Sequence, residues 1–280
     1  MKKNENSNMK VLTWMAFGGV LAINVPIFYH LYTYRWEAVD YTHAYFILPV
    51  SLWLVFKQRK LLASLIVREL GWKSYWLPIL VVGLGVFIFG WRLDYASVMA
   101  ISMIPVVYGL IGYLFGNKVV KKCNFPILYL LLMVPPPLGI LDSITLPMRH
   151  WISVLTEMII KACGYPIVRD GLLLSIDGHE IYMGAPCSGF RSLITMIALG
   201  LVYVYINKGS FKKKAILLGS VVPFALFGNL ARVVSMCIVT FYFGEGVGHT
   251  YHDYSGYLIF LVLIAGLVGT EVLLNKVIKE

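Results

Sequence analysis

The sequence predicts an all-α integral membrane protein with about eight transmembrane helices. The chain has 280 residues, of which 59% are hydrophobic and 14% are charged, and its mean hydropathy is +0.77. A soluble domain is typically about 45–50% apolar and about 25% charged. Several apolar runs here reach the ~20 residues that a helix needs to cross a bilayer. The composition therefore excludes an ordinary soluble enzyme, a disordered protein and a small disulfide-stapled fold.

The predicted spans follow the apolar runs in chain order. A polar tail, residues 1–10, precedes a long run without a signal-peptide cleavage site, so the first run is interpreted as a retained helix. The spans are expected at 11–33, 44–56, 75–91, 95–115, 124–140, 187–207, 214–241 and 257–275. The fifth should break at residues 135–137, three consecutive prolines that lack the N–H of a helix interior.

Two segments between the fifth and sixth spans are expected on the outer membrane surface. Residues 142–163 combine charged side chains with apolar ones at helical spacing, which is typical of an amphipathic helix lying in the interface. Residues 165–186 contain short apolar runs around a turn-like Asp-Gly pair, which indicates a small β-hairpin-like cap. We therefore expect one membrane-embedded domain, with residues 142–186 outside the membrane and a transmembrane core at 187–275.

The distribution of positive charge predicts the orientation. The formal net charge is +10. With a cytoplasmic N-terminus, the inner loops hold 17 lysines and arginines and the outer loops hold 5. This excess is typical of cytoplasmic loops, so both termini are expected in the cytoplasm, at a cell inner membrane. Because the charge is spread over separate short loops, no nucleic-acid partner is expected.

One of the four scattered cysteines has a distinctive setting. Cys187 lies between Pro186 and Ser188-Gly189, where a polar loop enters the sixth span. A thiol at a helix N-terminus forms a thiolate more readily, and Arg191, one helical turn later, is expected to add to this effect. The alternative is an inert core residue, since free cysteines are commonly buried. The cysteines lack the spacing of a zinc site or of a disulfide framework.

Arg232 is predicted inside the seventh span, in its outer half. A cation within an apolar run is costly and therefore marks a functional site by default. The alternative is a structural ion pair with a carboxylate such as Asp142 or Glu157. Asn229, three residues earlier, shares the helix face of Arg232 and is expected to orient its guanidinium.

Two histidines, His249 and His252, precede the last span. Histidine exchanges a proton near neutral pH, which suits an acid or base. The alternatives are a metal site, which a single pair supports weakly, and surface histidines without a role. By the predicted topology, Cys187, Arg232 and His252 meet at one membrane face. They supply the nucleophile, the fixed cation and the acid or base that acyl transfer requires.

The same stretches resemble the signature blocks of the exosortase/archaeosortase family, polytopic membrane cysteine transpeptidases. The blocks are residues 187–192 (CSGFRS), 229–232 (NLAR) and 252–256 (HDYSG). The resemblance implies that Cys187 is the nucleophile and that Arg232 and His252 are the other catalytic residues. Ser188 and Gly189 belong to the first block and are expected to support the site or bind substrate.

The resemblance extends over residues 36–275. Three further blocks carry it, at 40–46 (DYTHAYF), 125–137 and 164–171. The first includes His43 as a supporting residue and has Ala44 where the family usually has glycine.

The family's substrates are secreted proteins with a C-terminal tail made of a short motif, a transmembrane helix and a basic cluster. The resemblance implies that this tail is cleaved through a thioacyl-enzyme and that water, a lipid or a glycan accepts the protein at the cell surface. Membrane lipids are the other expected partners. No metal or nucleotide cofactor is expected, because the sequence has neither a P-loop nor a GxGxxG motif.

Two other classes remain open from the residues alone, a transporter of small solutes and a membrane scaffold without chemistry. Intramembrane arginine and broken helices are also typical of transporters. The sequence shows no inverted repeat, however, and its polar groups gather toward one face. A transporter or scaffold should tolerate Cys187→Ser, whereas a cysteine enzyme should lose all turnover.

Overall fold

A computed structural model describes residues 2–36, 41, 43–69, 71–136, 138–207 and 209–277. Within these ranges, the side chains of residues 2–10, 12, 35, 69, 138, 249, 252, 253, 258, 259, 262, 263 and 277 are not described. The chain divides into two compact units, Met1–Pro137 and Leu138–Glu280. The described residues are mostly helical with one small sheet, as the sequence predicts.

The first unit contains five described α-helices. They are α1 (Lys2–His30), α2 (Ala44–Lys57), α3 (Arg59–Glu69), α4 (Leu77–Arg92) and α5 (Ala96–Tyr129). Helix α1 continues as a π-helical turn, Leu31–Arg35. Helix α3 was not predicted, because its charged residues indicate a polar loop. Its sequence nevertheless lacks proline and glycine and consists largely of good helix formers.

Helix α5 joins two predicted spans. Gly116 interrupts it with φ 72° and ψ −176°, a conformation that glycine adopts at little cost. The helix then continues to Tyr129 and ends in a 3₁₀ turn, Leu130–Met133. The fifth span therefore ends earlier than predicted. The expected break is present, since residues 135 and 136 are not helical, while residue 137 lies outside the described residues.

The second unit combines helices with an antiparallel sheet. Its helices are α6 (Leu138–Ala162), α7 (Phe190–Ile206), α8 (Phe211–Phe243) and α9 (Glu245–Val277). Its strands are β1 (Ile167–Asp170), β2 (Leu173–Ile176) and β3 (His179–Tyr182), paired in the order β1-β2-β3. Ile167 pairs with Ile176, and Leu173 pairs with Tyr182. The predicted hairpin-like cap is thus a three-stranded meander.

Four described helical segments are long and apolar enough to cross a membrane. They are Thr13–Tyr34, Ser74–Arg92, Ala96–Met133 and Phe211–Phe243. Two shorter apolar helices are Ala44–Lys57 and Phe190–Ile206. These helices support a membrane protein, but the predicted number of eight spans is not confirmed. Helix α6, predicted to be amphipathic, is not among the candidate spans.

Polar contacts hold α7, α8 and α9 together at one end. Asn207 Nδ2 donates to Glu271 Oε1 at 3.3 Å, and the Tyr203 hydroxyl donates to the same carboxylate. The Lys213 ammonium donates to Asn275. Because short connections make α8 antiparallel to its two neighbours, the opposite end brings together the start of α7, the end of α8 and the start of α9.

The apolar core of the second unit lies between α6, the sheet and α8. Its buried members are Ile152, Ile160, Ile167, Leu174, Ile176, Met183, Cys187, Val233, Met236 and Cys237. The turn that carries Cys187 therefore packs into a core built from three different parts of the unit, which fixes its position.

Candidate active site

Cys187 lies in a 3₁₀ turn, Ala185–Ser188, directly before α7. The turn is closed by the Cys187 N–H, which donates to the Gly184 carbonyl at 3.0 Å. The Ser188 hydroxyl donates to the Ala185 carbonyl at 2.8 Å and accepts from the Phe190 N–H at 3.2 Å. Ser188 therefore stabilises the turn and the first residue of the following helix.

Gly189 separates this turn from α7. Its φ of 76° lies in the left-handed region, and an added Cβ would be 2.8 Å from Asn229 Cγ. The helix therefore begins at Phe190, three residues later than the sequence analysis assumed. The expectation that Cys187 and Arg191 occupy one face of a continuous helix is wrong, because the chain leaves helical geometry at Gly189.

Asn229 and Arg232 project from α8 to different partners. The buried Asn229 Nδ2 donates to the Cys187 carbonyl at 2.9 Å. Arg232 Nε donates to the Ser255 hydroxyl, on α9, at 3.0 Å. Ser255, and not Asn229 as predicted, therefore orients the guanidinium. A second contact between the two helices, Tyr251 to Ser235 at 2.9 Å, lies close by.

The two carboxylates considered as structural partners of that guanidinium lie beside other cations. Asp142 Oδ1 is 3.8 Å from Arg149 Nη2 on the same helix. Glu157 accepts from Lys161 Nζ at 2.8 Å and from Arg169 Nε at 2.9 Å. These two carboxylates therefore pair with cations other than the α8 arginine.

Burial and positive charge act on Cys187 in opposite directions. Its residue is 5% exposed. Burial raises the pKa of the thiol, while Arg232, the backbone at Gly184 and Arg149 lower it, and burial has the larger effect. The thiol pKa is therefore above its ordinary value, and not below it as the sequence analysis expected. The opposing cations lie on α8 and α6 instead of on α7.

A cavity of about 380 Å³ adjoins Cys187. Its lining residues are Glu180, Ile181, Tyr182, Gly184, Pro186, Cys187, Met236, Thr240, Glu245 and Gly248. Cys237, by comparison, is 0% exposed and does not line this cavity. Cys187 thus differs from an inert core cysteine, because a ligand in the cavity would contact it.

The structure describes the helix positions of the two predicted histidines, but not their side chains. His252 lies on α9, three residues or about 4.5 Å along the axis before Ser255. Its side chain, like that of His249, is outside the described residues, so the roles of both stay predictions. Over the part of the chain that the structure describes, no group of three or more metal-binding side chains is found.

His43, the predicted supporting histidine, belongs to the first unit. It is buried, and its Nε2 lies 3.2 Å from the Leu132 carbonyl. Its ring packs against Tyr41, with the centroids 4.2 Å apart. These contacts give His43 a structural role near the end of the proline-terminated segment, and a role in substrate binding stays a prediction.

Two residues near the site were missed by the sequence analysis. Ser255 lies one turn after His252 and belongs to the same short block, so the block itself was the available signal. Arg149 lies within residues 142–163, the segment predicted to form the amphipathic helix, and was not singled out as a site residue. It precedes the buried Ile152 by three positions, and this spacing places it on the apolar face of α6.

This fold and site define a membrane protein with a buried cysteine, two nearby arginines and an adjoining cavity. Comparison with protein-family models matches residues 36–269 to the transmembrane exosortase family. The match covers most of the chain, and the protein belongs to this family. Comparisons with curated proteins and with solved structures found no match.

Proposed function

We propose that the protein is a cysteine-type sorting transpeptidase that acts on the C-terminal tails of secreted proteins. The observation that carries the proposal is the placement of Cys187 between a cavity and the cations of two helices. Family membership supports the same class of reaction. A transporter or scaffold would not need a thiol held in this way.

The first proposed step is attack by the Cys187 thiolate on a peptide carbonyl of the tail. The Sγ–C bond forms, the C–N bond breaks, and the amine of the released tail takes up one proton. The product is a thioacyl-enzyme. An acceptor O–H or N–H then attacks the thioester, the S–C bond breaks, and Cys187 leaves as the thiolate that began the cycle. The proton of the acceptor passes to the group that protonated the leaving amine.

Hydrogen-bond donors or positive charge must stabilise the tetrahedral oxyanion where it forms. The backbone N–H of Cys187 already donates to Gly184, and the Asn229 amide already donates to the Cys187 carbonyl. These donors serve the turn itself. Arg232, oriented by Ser255, is therefore proposed as the group that stabilises the oxyanion.

His252 is proposed to donate the proton to the leaving amine and to accept one from the acceptor. Its place on α9, one turn before Ser255, supports this role because Ser255 contacts Arg232. Histidine suits both steps, since its ordinary pKa lies near neutrality.

The proposed site lies at the extracytoplasmic face of a cell inner membrane, with both termini in the cytoplasm. An aromatic cluster supports a position near a membrane interface: Tyr165 and Tyr242 contact through their hydroxyls at 3.1 Å, and Tyr165 packs on Phe241. Trp151 and Tyr254 are exposed in the same unit. Tyrosine and tryptophan are enriched at such interfaces.

The proposal is tested by co-expression with a tagged secreted protein that carries a motif, a transmembrane helix and a basic cluster. Wild type should release the tail, and the product mass identifies water, a lipid or a glycan as the acceptor. Cys187→Ala should release none at equal expression, whereas Cys163→Ala, a change at an exposed cysteine, should be fully active. Equal processing by Cys187→Ala would overturn the proposal.

A further inference from the structure

A second arginine, Arg149, is buried on a helix that contacts the Cys187 turn. It lies on α6, which packs against this turn, and its residue is 9% exposed. Ile152, one helical turn later, belongs to the same apolar core as Cys187. The face of α6 that carries Arg149 is therefore directed to the interior of the second unit.

The guanidinium of Arg149 has few polar contacts for a buried cation. Nη2 donates to the Thr145 hydroxyl at 3.3 Å and lies 3.8 Å from Asp142, whose carboxylate is 72% exposed. Nε is buried and has no hydrogen-bond partner among the described residues. A buried cation so weakly compensated is costly, and a negative charge formed beside it would offset that cost.

The charged groups around Cys187 indicate that its thiolate is the negative charge that Arg149 stabilises. Arg232 on α8 and Arg149 on α6 both favour the thiolate electrostatically. Cys237 on α8 is a second thiol nearby. Glu180 on β3 and Glu245 on α9 line the adjoining cavity, and their negative charge would disfavour a thiolate. Among these described charged side chains, the two arginines are the groups that favour the charged sulfur, in addition to the backbone at Gly184.

We propose that Arg149 is a positioning residue of the active site, a second cation that stabilises the Cys187 thiolate from α6, the helix that packs against the Cys187 turn. It acts through Cys187 and is distinct from Arg232, which acts on the thiol from α8. The effect of Arg149 on the thiolate does not depend on a substrate. The importance of Arg149 for turnover rests on the proposed transpeptidase function.

The test is the pH dependence of iodoacetamide alkylation at Cys187 in the full-length protein in detergent, followed by peptide mass spectrometry. Arg149→Gln should raise the midpoint by about one pH unit, and the thiolate fraction at neutral pH should fall about tenfold. Arg149→Lys should keep most of the wild-type behaviour. Lys161→Gln, which removes an exposed cation from the same helix, should leave the midpoint unchanged.

Exposed Cys163 is the internal reference, and rapid labelling of buried Cys123 reveals unfolding. If Arg149→Gln unfolds, Asp142→Asn provides the deciding measurement. This change removes the exposed carboxylate beside Arg149 and should lower the alkylation midpoint of Cys187 by a few tenths of a pH unit. A midpoint that is unchanged in folded Arg149→Gln, or in Asp142→Asn when Arg149→Gln unfolds, would overturn the inference.

Tail cleavage by the same variants separates this inference from the proposed function. If wild type cleaves tails and the alkylation midpoint does not move, Arg149 has no electrostatic role and the function stands. If the midpoint moves but wild type cleaves no tail of any tested composition, the role of Arg149 stands and the transpeptidase proposal fails. With both correct, Arg149→Gln should cleave about tenfold more slowly at neutral pH.

Discussion

The side-chain amide of Asn229 donates a buried hydrogen bond to the backbone carbonyl of Cys187, 2.9 Å away. The two residues are 42 positions apart in the chain, so this bond connects α8 to the turn that carries the thiol. Gly189 makes the approach possible, because any side chain there would collide with Asn229. The position of the candidate nucleophile therefore depends on a residue with no chemical role of its own.

Loss of this bond should destabilise the protein and disturb the turn. Asn229→Ala leaves the Cys187 carbonyl buried without its donor, which typically costs about 1–3 kcal/mol. Asn229→Asp keeps the shape of the side chain but not its N–H donor and should be at least as harmful. Thermal unfolding in detergent measures the effect. An unchanged unfolding temperature in Asn229→Ala would show that the bond contributes nothing.

Gly189→Ala should be more damaging than replacement of a helical glycine that has open space around it. It places a Cβ at φ 76° and 2.8 Å from Asn229, so strain and collision add, with a cost of about 1–3 kcal/mol or more. Gly219→Ala, at a site on α8 with open space around it, should be nearly neutral and serves as the matched control. Similar unfolding temperatures for the two variants would contradict this account of the turn.

The reactivity of Cys187 should rise with pH above neutrality. Burial raises the pKa of its thiol, and Arg232 opposes that rise, so Arg232→Gln should move the alkylation midpoint further up, by about one unit. The raised pKa also has a stability consequence. The raised pKa contributes its full amount to the free energy of unfolding below the ordinary thiol pKa. This contribution is lost as pH rises through the folded-state pKa.

Arg169→Gln is the control for this titration. It removes an arginine on β1 that pairs with Glu157 on α6. It should leave the Cys187 midpoint at the wild-type value. An Arg232→Gln midpoint equal to that of Arg169→Gln would mean that the α8 arginine does not act on the thiol.

Glu157 should stabilise the contact between α6 and the sheet in a pH-dependent way. The largest effect on its pKa is the hydrogen bond from Lys161, which lowers it; burial raises it, and the hydrogen bond from Arg169 has a smaller effect that lowers it further. The stabilisation is therefore present above the ordinary glutamate pKa and is lost as pH falls through the lowered value. Glu157→Gln should cost up to about 1 kcal/mol at neutral pH. If Glu157→Gln lowered the free energy of unfolding by the same amount in acid, the stabilisation would not come from the charge of Glu157.

Features that depend on local composition were predictable from the sequence. Hydropathy indicates the apolar helices, because a bilayer requires long apolar runs whatever their neighbours. Prolines 135–137 indicate the end of a helix, and the Asp177-Gly178 turn indicates a strand pair. The blocks around Cys187 and Arg232 indicate the family, which the family match confirms.

Features that depend on packing were not predictable. The spacing between Cys187 and Arg191 predicts a shared face only if the helix is continuous, and Gly189 interrupts it. Asn229 contacts the turn because α8 packs against it, a contact that spacing along α8 cannot show. The burial of Arg149 likewise depends on how α6 packs in the second unit, and its charge alone suggests an exposed residue.

The central claim is that Cys187 forms a thioester with the processed substrate. The most direct measurement is intact and peptide mass spectrometry of the enzyme co-expressed with a tagged substrate, before and after neutral hydroxylamine. We predict a substrate adduct on Cys187 that hydroxylamine removes, and that is absent in Cys187→Ser. Cleavage of the tail without any such adduct, or an adduct on Cys163 or Cys237 instead, would contradict the assignment of Cys187 as the nucleophile.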